Sequence, residues 1–177
     1  ENRRVAAAYT ICFGFGSKGR QMSEAIKEGG KAPAFKLASS SGTDVSLSAL
    51  KGGKAVLFFY PKDDTSGCTR EAVDFTSLLK DFEKAGTRVI GISPDPVKKH
   101  AKFIEKHDLG VELLADESKT MLEAYGVWAE KSMYGRKYMG VVRTTVLVDA
   151  TGKIARIWPK VKVPGHAAEV LEAAKAL

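Results

Sequence analysis

A lone thiol inside a loop of turn-forming residues is the strongest chemical signal in this chain. Cys68 follows the apolar run Ala55-Val-Leu-Phe-Phe-Tyr60 and the segment Pro61-Lys-Asp-Asp-Thr-Ser-Gly67. Proline, glycine and short polar residues there end a strand and cap a helix that the pattern starts near Thr69. The N–H groups of that helix's first turn then point at the sulfur, and their partial positive charge favours thiolate over thiol. Set against this, a lone cysteine is commonly a buried filler.

Three residues favour a nucleophile over a filler. Thr65 lies three positions before Cys68, so a turn can bring its hydroxyl near the sulfur to donate to an incoming oxygen. Pro61 fixes the exit of the strand and removes one N–H, which shapes a pocket. Arg143 opens the run Arg143-Thr-Thr-Val-Leu-Val-Asp149, which enters the sheet beside the Ala55 strand if the topology below holds. Its permanent charge would hold a thiolate and stabilise negative charge on a departing oxygen.

The elements that must position these residues alternate from Lys31 onward. Ala34 to Ala38 and Val45 to Leu47 flank a Ser-Ser-Ser-Gly-Thr turn and predict an N-terminal β-hairpin. Ala55 to Tyr60 and Arg88 to Ile92 read as buried strands, with a helix over Glu71 to Ala85 whose apolar face includes Val73, Phe75 and Phe82. Asp95 to His107 is a second helix, with Asp95-Pro96 as N-cap and first residue. Glu112 to Ala115 is a short strand and Lys119 to Tyr125 a short helix. Val141 to Asp149 and Lys153 to Trp158 form a hairpin, and Gly165 to Ala176 is the last helix. This order predicts an α/β fold, a central mixed β-sheet flanked by helices.

Composition bounds the rest. The 177 residues suit one domain over 22–177, preceded by a distinct extension over 1–21. Of the net charge of +7, the extension carries +3. It is basic and almost free of acid, compatible with a transit peptide, a signal remnant or translated upstream sequence, the last being favoured. In the remainder, lysines and carboxylates interleave, which describes a solvated face rather than a nucleic-acid stripe. No apolar run approaches the roughly 20 residues of a membrane-spanning helix. Two cysteines, Cys12 and Cys68, make no disulfide framework and no C-x-x-C pair, so the expected setting is the reducing cytoplasm, or an organelle if residues 1–21 are a transit peptide.

Asp63-Asp64 after a strand invites magnesium-dependent phosphoryl transfer, but adjacent side chains diverge in an extended loop. His100 and His107 share a helix face without a third ligand, and together with His166 they read as surface histidines. Trp128, Tyr134, Tyr138 and Trp158 lie among lysines and arginines; Trp128 and Tyr134 are candidates for a pocket rim.

The segment Phe58-Phe-Tyr-Pro-Lys-Asp-Asp-Thr-Ser-Gly-Cys-Thr-Arg-Glu71 resembles the active-site loop of the peroxiredoxins, P-x-x-x-T-x-x-C, and most closely their bacterioferritin comigratory protein, or peroxiredoxin Q, branch. The likeness continues through Gly91-Ile-Ser-Pro-Asp95, Ala124-Tyr-Gly-Val-Trp128, Lys131-Ser-Met-Tyr-Gly135, Arg143-Thr-Thr and Pro164-Gly-His-Ala167. It implies a thioredoxin-like fold and a thiol peroxidase without cofactor or metal. Cys68 would be the peroxidatic nucleophile, Thr65 and Arg143 the groups that orient and polarise the peroxide, and Pro61 the shield of the sulfur. Glu71 would orient Arg143, or be a plain surface carboxylate. Many relatives carry a resolving cysteine five residues after the first, where this chain has Val73, about 140° around the helix. The expectation is a one-cysteine cycle closed by a thioredoxin-like, glutaredoxin-like or small-molecule thiol, in a monomer or homodimer, with Cys12 idle. A non-catalytic thioredoxin-fold binding or chaperone module is the alternative.

Overall fold

The computed structural model of the chain describes residues 25–177. Cys12 and the extension over 1–21 lie outside them. A seven-stranded mixed sheet runs in the order β2-β1-β5-β4-β3-β8-β9. Its strands are β1 (Lys36–Ser39), β2 (Asp44–Ser46), β3 (Lys54–Phe59), β4 (Thr87–Ser93), β5 (Glu112–Ala115), β8 (Thr144–Val148) and β9 (Ile154–Trp158). β3, β4 and β5 are parallel, whereas β1 on β2, β1 on β5, β8 on β3 and β9 on β8 are antiparallel. A separate hairpin, β6 (Trp128–Met133) with β7 (Arg136–Val141), stands outside that sheet.

β3 is apolar from Ala55 to Phe59 because both of its faces are covered. Ala55, Leu57 and Phe59 join one core with Leu47 and Leu50 of α1 (Leu47–Leu50) and Met121 and Leu122 of α5 (Thr120–Ala124). Val56, Phe58 and Tyr60 join the other, which also holds Cys68. That second core is closed by α2 (Ser66–Ser77), α3 (Leu79–Lys84), α4 (Val97–His107) and α6 (His166–Ala176), through Phe75, Phe82, Phe103 and Val170. The parallel crossover from β3 to β4 needs a helical connection, and this requirement sets α2, with Cys68, directly on the central strand.

Four expectations shift. The helix read over Glu71 to Ala85 is two helices broken at Leu78, whose φ of −101° and ψ of 3° leave the helical region. Val73 faces outward rather than into the core. Pro96 is the N-cap of α4, and Asp95 is spent elsewhere. The run Val141 to Asp149 is interrupted, so that β7 ends at Val141 and β8 begins at Thr144.

Candidate active site

Cys68 is the third residue of α2 and is 2% exposed. Thr65 is the N-cap in extended conformation, and its carbonyl accepts the Thr69 N–H at 2.8 Å. Arg143 falls in the gap between β7 and β8. Its backbone is pinned there, because its carbonyl accepts from Val161 N–H at 2.9 Å while Val142 N–H donates to Val127 at 2.8 Å. β8 pairs with β3 so that Thr144 opposes Phe59, which carries the preceding arginine to the end of β3 where the Cys68 loop begins. There Nη2 donates to Cys68 Sγ at 3.3 Å, and Nη1 donates to Glu71 Oε2.

Gly67 makes this approach possible. A Cβ on it would lie 3.3 Å from Arg143 Nη2, so a side chain there would press on the guanidinium that reaches the sulfur. Sequence reading gave Gly67 only a turn-forming part; a glycine directly before a candidate nucleophile was the available signal.

Glu71 is buried, which removes the reading of a surface carboxylate. Burial pushes its carboxyl up to about 7, even though the Arg143 charge and hydrogen bond pull the other way. Its Oε1 is buried with no hydrogen-bond partner among the described residues. A charge at this site is therefore supported on one oxygen only.

The loop itself is held from both sides by α4. Asp63 points inward, accepting from Tyr60 Oη at 2.7 Å and meeting His100 Nδ1 at 2.6 Å. His100 Nε2 lies 3.1 Å from the Leu114 carbonyl, which can only accept, so that nitrogen is the donor. Burial, with Asp63 beside it, pushes the Tyr60 hydroxyl well above its usual range and keeps it a donor. The Asp63 N–H reaches Asp95 Oδ2 at 2.7 Å. Asp64 points outward and accepts from Lys106 at 2.6 Å and pairs with His107 at 2.7 Å. The two aspartates do diverge, and both are occupied by neighbours of their own.

His100 and His166 are not surface residues. His100 is fully buried against Asp63, a partner 37 positions away that helical spacing cannot reveal. His166 Nε2 meets Thr145 Oγ1 at 2.7 Å, and burial pushes its imidazole down to about 4. No cluster of three or more potential metal ligands occurs among the described residues, and no helix among them is long and apolar enough to cross a membrane.

The structure thus brings Cys68, Glu71 and Arg143 into contact. Thr65 and Pro61 lie in the same loop, with the Thr65 hydroxyl donating to the Lys62 carbonyl at 3.1 Å. Tyr134 lies at the outer tip of the β6–β7 hairpin, 98% exposed, rather than on a pocket rim. Trp128 packs at the hairpin base against the core, with the Lys119 ammonium 5.5 Å from its ring.

A sequence model of the AhpC/TSA family matches residues 29–157. The putative peroxiredoxin Bcp of Coxiella burnetii is 50% identical over 146 residues, 82% of this chain and 97% of that protein. Peroxiredoxin Bcp of Bacillus subtilis is 45% identical over 85% of this chain and 96% of that one. Among solved structures, peroxiredoxin Q of Xanthomonas campestris matches with a TM-score of 0.77 at 43% identity, over 80% of this chain and 90% of that one. With half of the aligned residues shared with one such relative and the sheet and helices of another reproduced, this chain belongs to the AhpC/TSA family as a thiol peroxidase of the peroxiredoxin Q, or bacterioferritin comigratory protein, branch.

Proposed function

We propose that Cys68 is the peroxidatic nucleophile of a one-cysteine cycle acting on hydrogen peroxide and organic hydroperoxides. The Cys68 sulfur attacks one peroxide oxygen, an S–O bond forms, and the O–O bond breaks. Its electron pair leaves on the other oxygen, which takes a proton and departs as water or alcohol. Cys68 is oxidised by two electrons to the sulfenic acid while the peroxide is reduced.

The observation that carries this reading is the 3.3 Å contact from Arg143 to the sulfur. The same guanidinium then stands where charge develops on the departing oxygen, fixed beforehand by Glu71 and by its pinned backbone. Thr65 needs only to turn its hydroxyl from the Lys62 carbonyl toward the peroxide, and Pro61 screens the sulfur at the loop entrance. Glu71 acts as a positioning residue. A xanthomonad bacterioferritin comigratory protein, 42% identical to this chain, has been described for alkyl peroxide reduction activity, which supports hydroperoxides as substrates here.

The sulfenic acid needs an outside thiol. Cys68 is the free cysteine among the described residues, and Val73 occupies the position five residues on. A thioredoxin-like, glutaredoxin-like or small-molecule thiol attacks the sulfenic sulfur, an S–S bond forms and water leaves. A second thiol then displaces the Cys68 thiol. The cytoplasm, where thiols stay reduced, fits a sulfur used this way.

Stopped-flow mixing of the reduced protein with hydrogen peroxide tests the reading. Cys68→Ser should abolish peroxide consumption, whereas Cys12→Ser should retain full turnover with dithiothreitol. Loss of turnover in Cys12→Ser would replace the one-cysteine cycle with an internal disulfide.

A further inference from the structure

Of the six large apolar side chains exposed among the described residues, four lie on the β6–β7 hairpin: Met133, Tyr134, Tyr138 and Met139. The register pairs Met133 with Arg136 and Lys131 with Tyr138, so Lys131, Met133, Arg136 and Tyr138 share one face of the two-stranded sheet, whereas Met139, opposite Glu130, lies on the other. Neither Lys131 nor Arg136 forms an ion pair with a carboxylate among the described residues, whereas Lys137, on the opposite face, pairs with Glu130 at 3.3 Å. One face therefore groups Met133 and Tyr138 with two cations that no carboxylate pairs among the described residues, the Lys131 ammonium resting on the Val141 carbonyl at 3.0 Å, whereas the other carries Met139 beside a paired lysine and glutamate.

The tip departs from ordinary hairpin chemistry as well. Tyr134 and Gly135 have φ of 50° and 74°, the pair of left-handed residues of a tight two-residue turn that normally takes Asn-Gly or Gly-Gly. A tyrosine in that conformation is strained, and at 98% exposure its ring gains no packing among the described residues in return.

The hairpin's place in the chain points to what covers it. β7 ends at Val141, two residues before Arg143, so six residues of strand set the tip only about 20 Å from the catalytic arginine. A protein burying about 800 Å² on its side of an interface spans that distance. A two-fold contact between copies of this chain centred on this face would bring Lys131 and Arg136 of both copies together without a carboxylate between them, whereas an acidic partner would offset them. We propose that the Lys131, Met133, Arg136 and Tyr138 face, with Tyr134, is the docking surface for an acidic-surfaced dithiol protein that reduces the Cys68 sulfenic acid. This assignment rests on the peroxidase reading above. The docked protein's first thiol forms the S–S bond to Cys68 with loss of water, and its second thiol closes its own disulfide and frees the Cys68 thiol.

The test uses the full chain in a turnover assay with hydrogen peroxide and either a thioredoxin kept reduced by its NADPH-dependent reductase, or dithiothreitol. Two variants are compared with the wild type: Lys131→Glu with Arg136→Glu, and Met133→Ser with Tyr134→Gly. The expected result is a KM for thioredoxin raised about tenfold or more in each, with dithiothreitol turnover and the stopped-flow oxidation of Cys68 within about twofold of wild type. An unchanged KM for thioredoxin, an equal loss with dithiothreitol, or a wild type that dithiothreitol reduces and thioredoxin does not would each overturn the surface. So would flotation of the wild type, but not the variants, with phosphatidylglycerol vesicles, or a dimer in sedimentation that the variants lose, when KM is unchanged. Failure of the peroxidase reading shows separately, as a reduced wild type that consumes no peroxide before any thiol is added; the docking assignment then falls with it.

Discussion

Asp63 and Glu71 flank Cys68 and are equally buried, yet one carboxylate is closed and the other open. Asp63 has both oxygens engaged, by Tyr60 and His100. Glu71 spends one oxygen on Arg143 and leaves the other without a partner among the described residues. The closed network ties the Cys68 loop to the end of β3 and to α4 and makes no hydrogen bond to the sulfur. The open one touches the arginine that touches the sulfur, and its carboxyl changes charge near neutrality. The contrast separates what holds the loop in place from what adjusts the chemistry.

The largest expected effect breaks the closed side. Asp63→Ala leaves His100 and Tyr60 buried without their acceptor and should lower unfolding free energy in urea by about 3–5 kcal/mol. A loss below about 1 kcal/mol would show that the network does not hold the loop. On the open side, Arg143→Gln should slow peroxide consumption about 10²–10³-fold. Its stability loss should be smaller than that of Asp63→Ala, since Glu71 can take up a proton when its cation is gone. Comparing the two variants in both assays checks the division directly.

Next comes a pH dependence with a definite sign. Glu71 holds its proton more tightly in the folded chain, with a value of about 7 against a usual 4.5. Its contribution to stability is therefore fully present below pH 4.5 and is lost as pH rises to about 7, a change on the order of 3 kcal/mol. Glu71→Gln should flatten that part of the wild-type stability curve, and an unchanged slope would contradict the assignment. Gly67→Ala should nudge the guanidinium and slow peroxide consumption by less than about tenfold while leaving unfolding nearly unchanged. Smallest of all is Asp64→Asn. That carboxylate faces solvent with Lys106 and His107, and its loss should leave the melting temperature inseparable from wild type.

The site was legible where local spacing decides it. The strand, the turn residues and Cys68 lie in one stretch, and Arg143 directly precedes a strand whose pairing with β3 follows from the element order. Glu71 could be read as buried or exposed until α2 was set on the sheet. His100 was opaque because its partner Asp63 arrives from another element. The hairpin escaped notice because Tyr134-Gly135 is no standard turn pair and neither strand alternates apolar with polar. The break at Leu78 carries no proline or glycine to announce it. Long-range partners and strained turns are what a linear pattern hides.

The most direct measurement is the rate at which the reduced full chain consumes hydrogen peroxide in a single turnover, followed in wild type, Cys68→Ser and Arg143→Gln. The account expects a wild-type rate at least about 100-fold above that of free cysteine, no reaction without the sulfur, and most of the acceleration gone without the guanidinium. A wild-type rate equal to free cysteine, or one indifferent to Arg143, would contradict it.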